Sequence, residues 1–166
     1  MSRLQLAIDQ ISFARNYTIW LLDQTPEIEW FRQPQGGVTH IAWQVGHLAM
    51  AEYRMALERI RGPQRQDAEL ISDEFVRLFG GKSVPDPDPA KYPSQSAIRE
   101  VFDRVHQQTL RELQTLDDSE LDKDVLKPHP RVKTKLWALV WCAQHESVHA
   151  GQIGLLRRLL GHSPLW

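Results

Sequence analysis

Apolar residues recur every three to four positions through most of this chain, and no strand-like alternation of convincing length appears. The first periodic run predicts a helix over Leu4 to Leu22, with Leu4, Ile8, Ile11, Ile19 and Leu22 on one face. Phe13, Tyr17, Trp20 and Leu21 widen that face, leaving only a narrow polar strip. A helix so broadly apolar is buried on more than one side, by bundle partners or by a second subunit. Arg15 falls inside the apolar face and is expected to snorkel at the edge of a groove. Thr25-Pro26 ends this helix, and Thr39 is the expected N-cap of a second one, from His40 to about Arg61. Asp67 to Phe79 predicts a shorter amphipathic helix. Gly80 to Pro93 holds Pro85, Pro87, Pro89 and Pro93 and cannot be regular structure, so it reads as a long crossover. Ser94 caps a third long helix whose face runs Ile98, Val101, Phe102, Val105, Thr109, Leu113, Leu116. Asp117 to Asp124 predicts one short helical turn, and Lys127 to Lys133 a loop. The fourth long helix carries Trp137 to Leu160 and stops at Gly161. The pattern predicts an all-α four-helix bundle with a short extra helix and a crossover between the second and third long helices.

Composition narrows the function classes. A chain of 166 residues is expected to form one domain spanning 1–166 with a real core. A net charge of −1 with no Lys/Arg cluster argues against nucleic-acid binding by bulk electrostatics. The single cysteine, Cys142, leaves no intramolecular disulfide and fits a reducing cytoplasm. It reads as a small buried hydrophobe. No stretch approaches the roughly 20 apolar residues of a membrane span, and the N-terminus has no signal-peptide core. The tail Pro164-Leu165-Trp166 could seat at a subunit interface; no role rests on it.

The candidate chemistry lies in the histidines. At about 100° per residue, Trp137, Ala138, Trp141, Val148, Gln152, Leu155, Leu156 and Leu159 share a face with His145 and His149 at its centre. Two rings one turn apart on a buried face need partners, either hydrogen bonds or a shared metal. His47 lies on the expected inward face of the second helix with Trp43, Gln44, Leu48 and Ala51. That makes a three-imidazole set geometrically possible, and three His ligands with open positions suit a reactive metal. His40 is too far along its helix to share the site with His47. His106 sits on the flank of the third helix, and His129 and His162 are expected in solvent. His145-Glu146-Ser147-Val148-His149 also spells HExxH, the zinc-protease signature. No Asp or Glu follows Glu146, and Leu155 occupies the position where the extended motif needs histidine, so the protease reading is set aside.

His145 to Arg158, HESVHAGQIGLLRR, followed by Leu160-Gly161, resembles the C-terminal motif of the DinB-like (DNA-damage-inducible) bundle family. Val38 to Ala49, VTHIAWQVGHLA, resembles its second-helix motif, and the likeness extends over essentially the whole chain. The resemblance implies an up-down-down-up four-helix bundle, often a homodimer. It implies one divalent metal, nickel or zinc, on three histidines that match His47, His145 and His149. Some members are metal-dependent transferases or isomerases acting with low-molecular-weight thiols; many have no known activity.

Two functions follow. In one the metal activates a thiol or water for transfer or hydrolysis on a small molecule, with Arg15, Arg54 and Glu146 as candidates for substrate contact or proton transfer. In the other the bundle is a non-catalytic metal-binding or stress-related protein, the metal tying the second helix to the fourth.

Overall fold

Each long helix begins at a residue whose side chain accepts an otherwise orphaned backbone N–H. The computed structural model describes residues 1–165; Trp166, the last residue of the apolar tail, lies outside the described residues. Ser2 opens α1 (Arg3–Asp23), its Oγ accepting from the Gln5 amide at 3.1 Å. Ser94 opens α6 (Gln95–Leu113) and Thr134 opens α7 (Lys135–Leu159) in the same way. α2 (Ile41–Glu52) differs from expectation: its cap is His40, whose Nδ1 accepts from the Trp43 amide at 3.2 Å. Thr39, expected in that place, instead meets the side chain of Gln44. α2 passes directly into a π-helical turn, Tyr53–Glu58, and ends in α3 (Arg59–Arg61).

The predicted helix over Asp67 to Phe79 is two pieces, α4 (Asp67–Leu70) and α5 (Asp73–Leu78). Ile71 is extended and buried between them, and Ser72 re-caps the chain by accepting from the Phe75 amide. The crossover after α5 is irregular, as the prolines require, but it is pinned. Ser83 Oγ accepts from Trp43 Nε1 at 2.9 Å, and the Tyr92 hydroxyl accepts from the Asp86 amide at 2.8 Å. A 3₁₀ turn, Asp118–Asp122, stands where the short turn is predicted. α7 closes on Gly161 at φ +101°, where the Gly161 and His162 amides donate back to the Arg158 and Arg157 carbonyls.

α1 packs along α7, and α2 packs against both α6 and α7. The apolar face read for α6 is the one buried: Ile98, Val101, Phe102, Val105, Thr109 and Leu113. The face read for α7 is buried only in part, at Ala138, His149 and Leu156. Trp137, Val148, Leu155 and Leu159 are each more than half exposed, and Gln152 is exposed. The buried face is instead Ala138, Leu139, Cys142, Ala143, Ala150, Ile153, Gly154 and Leu156, together with Glu146, His149 and Arg157. The alanines of this face lie on the helix that packs along α1. The charged residues enter because each has a buried partner, Arg157 through Nε to Thr25 Oγ1 at 2.8 Å and through Nη2 to the Gln24 carbonyl. No strand occurs and no helix is long and apolar enough to cross a membrane, among the described residues.

Candidate metal centre

His47 leaves α2, and His145 and His149 leave α7, toward one another. The ring centroids of His47 lie 5.2 Å from His145 and 4.8 Å from His149; those of His145 and His149 are 4.5 Å apart. One ligand nitrogen from each ring lies within 4.8 Å of the other two. Two of the three rings are oriented from behind. His47 Nδ1 meets the Phe79 carbonyl at 2.8 Å, and His149 Nδ1 meets Gln44 Oε1. A carbonyl oxygen only accepts, so Nδ1 carries the proton and Nε2 presents its lone pair forward. Gln44 is itself held, donating through Nε2 to Thr39 Oγ1 at 3.0 Å. Trp43 stacks on His47 at 4.7 Å and 14°. His145, half-buried at the rim, makes no ring hydrogen bond among the described residues.

The local chain explains the support behind His47. The residue before it is Gly46, and a Cβ there would stand 2.4 Å from the Phe79 ring. Glycine alone lets the end of α5 come close enough for its carbonyl to take the His47 proton.

Burial holds all three rings neutral near pH 7. It lowers His149 to about 3 and His145 to about 4, with the neighbouring imidazoles adding to the effect. His47 is lowered as well, by burial foremost and also by the charge of Arg54. Neutral, pre-oriented imidazoles are what a divalent transition metal requires of nitrogen ligands. The residues present therefore fit such an ion, and the donor set leaves its charge uncompensated.

Arg15 does not snorkel. It is 1% exposed and bonded on every side. Nε donates to Glu146 Oε1 at 2.8 Å, Nη2 to Glu52 Oε2 at 2.5 Å and Nη1 to the Phe102 carbonyl at 2.7 Å, and the guanidinium lies over the Phe102 ring at 3.3 Å. Glu146 is thus turned into the core against Arg15. This geometry gives neither residue the substrate contact read for it. Arg54 is half-buried in the π-helical turn that follows α2. His106 is not with the three histidines; its Nδ1 meets Glu52 Oε1 at 2.9 Å. Cys142 is buried, as expected, and burial pushes its thiol well up. Two surface expectations change: His162 pairs with Glu29 at 2.5 Å, and His129 is half-buried.

The profile of the DinB superfamily matches residues 10–153, a span that includes all three histidines. The chain belongs to the DinB superfamily. This DinB chain also shares its fold with a conserved protein from Enterococcus faecalis of known crystal structure. The TM-score is 0.71 at 18% identity, over 98% of this chain and 99% of that one. No curated protein matches in sequence. Membership and the three-histidine cluster are both compatible with metal binding.

Gln44 and the Phe79 carbonyl are the functional groups that sequence reasoning missed. Gln44 stood in the inward run beside His47, and a polar residue one turn from a buried histidine was its only signal. A backbone carbonyl from another helix leaves none.

Proposed function

We propose that this DinB protein binds one divalent transition ion, nickel or zinc, through His47, His145 and His149, and acts with a low-molecular-weight thiol on a small molecule. The observation that supports it is the convergence of three neutral imidazoles, two with their far nitrogens already engaged. Bound there, the ion supplies a Lewis acid that would lower the pKa of a ligated thiol or water. The protein's own part is to hold His47 and His149 as neutral Nε2 donors and to engage their rear nitrogens. Trp43 and Trp141 wall the front, with Trp141 6.1 Å from His145. Glu146, tied to Arg15, is not available as the base an HExxH hydrolase needs. A cytoplasmic, thiol-rich compartment suits the lone buried Cys142.

Metal analysis of untagged protein purified without chelators tests the site. About one equivalent is expected, and His47→Ala should lose it while circular dichroism shows the helices intact. Stoichiometric metal in that variant would show the ligand set to be wrong. Thiol titration of cobalt-substituted protein tests the reaction class: a changed ligand-field spectrum is expected. A spectrum indifferent to every thiol favours the alternative, a non-catalytic bundle in which the ion ties α2 to α7.

A further inference from the structure

The turn that follows α5 reaches the three histidines by two routes. The first is direct: the Phe79 carbonyl accepts from His47 Nδ1 at 2.8 Å. The second runs through Trp43, one turn before His47 on α2. Its indole lies nearly parallel to the His47 ring, at 14° and 4.7 Å between centroids. The indole Nε1 donates to Ser83 Oγ at 2.9 Å. Ser83 is itself set in place. Its hydroxyl donates to the Gly80 carbonyl at 2.8 Å, and its amide donates to the same carbonyl at 2.9 Å. With its proton committed to Gly80, the hydroxyl has lone pairs to offer the indole. The short stretch from Phe79 to Ser83 therefore grips one imidazole at its edge and, through Trp43, at its face.

The two grips do different things. A bond from Nδ1 to a carbonyl fixes the direction of that nitrogen but leaves the ring free to tilt about the N–H···O line. The χ2 torsion of histidine is broad, so its own rotamer preference does not stop the tilt. A flat ring stacked on the imidazole does stop it, provided that this second ring is held too. The χ2 torsion of tryptophan is equally soft. The Ser83 hydroxyl is what holds the edge of the indole. The crossover has anchors of its own besides this bond. The Pro85 carbonyl accepts from Gln33 Nε2 at 3.2 Å, and the Asp86 amide donates to the Tyr92 hydroxyl at 2.8 Å.

We infer that Ser83 is a positioning residue for the metal: acting through Trp43, it sets the plane of His47 and so the aim of Nε2. The inference rests on the three-histidine metal reading above and adds the crossover to the elements that tune that site. Groups that hydrogen-bond a ligating histidine directly are worth about 10–100-fold in metal affinity. Ser83 acts one residue further out, so the lower end of that range applies.

Cobalt affinity of the full chain, measured by competition with a chromophoric chelator, tests it. Ser83→Ala is expected to bind cobalt about tenfold more weakly than the unaltered chain. Without metal it should melt within about 4 °C of the unaltered chain, the effect of one partly exposed hydrogen bond. Ser83→Thr keeps the hydroxyl and should bind cobalt as the unaltered chain does. Trp43→Phe keeps a ring on His47 but deletes the N–H, and should match Ser83→Ala. Adding Ser83→Ala to Trp43→Phe should change the affinity no further. Unchanged affinity in Ser83→Ala overturns the inference and leaves the metal site standing. So does a loss that recurs in full when Ser83→Ala is added to Trp43→Phe, since the hydroxyl then acts by a route other than the indole. If the unaltered chain takes up no cobalt, the three-histidine reading fails and the inference falls with it.

Discussion

Replacing Arg15 with methionine tests the reading of the core behind the histidines. The guanidinium is 1% exposed and contacts Glu52, Glu146 and the Phe102 carbonyl, so water cannot take its place. Burial alone would raise the Glu52 carboxyl, yet Arg15 and His106 hold it below the usual carboxylate range. Methionine roughly keeps the volume but strands two carboxylates in the core. Breaking a buried pair in this way costs about 3–5 kcal/mol. For a chain of this size each kcal/mol moves Tm by roughly 2–4 °C, so a fall of about 6–20 °C is expected. Thermal unfolding followed by circular dichroism reads it, on metal-free protein so that ligand stabilisation does not intervene. The triple variant Arg15→Met/Glu52→Gln/Glu146→Gln should recover most of the loss, because it removes the stranded charges together. A loss under about 1 kcal/mol in the single variant, the size of an exposed pair, would refute the buried network.

Other expectations follow from the site and its surroundings. Gln44→Ala removes the acceptor behind His149 and should weaken metal binding about 10–100-fold without unfolding the bundle; competition with a chromophoric chelator measures it. His145 and His149 have folded pKa values near 4 and 3, below the 6.5 of an exposed histidine. Below pH 6.5 the unfolded chain takes up protons that the folded chain refuses, so their contribution is complete above that pH and is lost on acidification toward 4. The urea midpoint of metal-free protein should therefore fall between pH 7 and pH 5, less steeply in His145→Gln/His149→Gln, and parallel slopes would contradict the assigned burial. Phe13 is 76% exposed on α1 and Val148 58% exposed on α7, bordering one groove. We expect the homodimer to form on this face, so Phe13→Glu/Val148→Glu should shift the mass seen by light scattering from dimer to monomer.

The helices were legible in the sequence wherever local chemistry decided them. Ser94 caps α6 by a hydroxyl and a backbone amide three residues apart, and Gly161 ends α7 because glycine tolerates the positive φ. The face of α6 was legible because its apolar residues lie on one stripe and its polar ones do not. The histidine spacing on α7 put two rings on one side of a helix whatever that helix packs against. Which side of α7 is buried was a tertiary matter. Counting hydrophobicity favours Trp137, Val148 and Leu155, whereas packing chose Leu139, Cys142, Ala143, Ala150 and Ile153, a stripe with several small side chains on the helix that packs along α1. The same counting left Arg15 at an edge, since a charge is affordable in a core only when its partners, here from α1, α2 and α7, arrive together. The sequence by itself determined the helices and brought forward His47, His145 and His149 as candidates. Only the tertiary structure decided that these rings meet, that Gln44 and the Phe79 carbonyl orient two of them, and that Glu146 faces Arg15. Those relations join residues between 32 and 131 positions apart, beyond the reach of any local pattern.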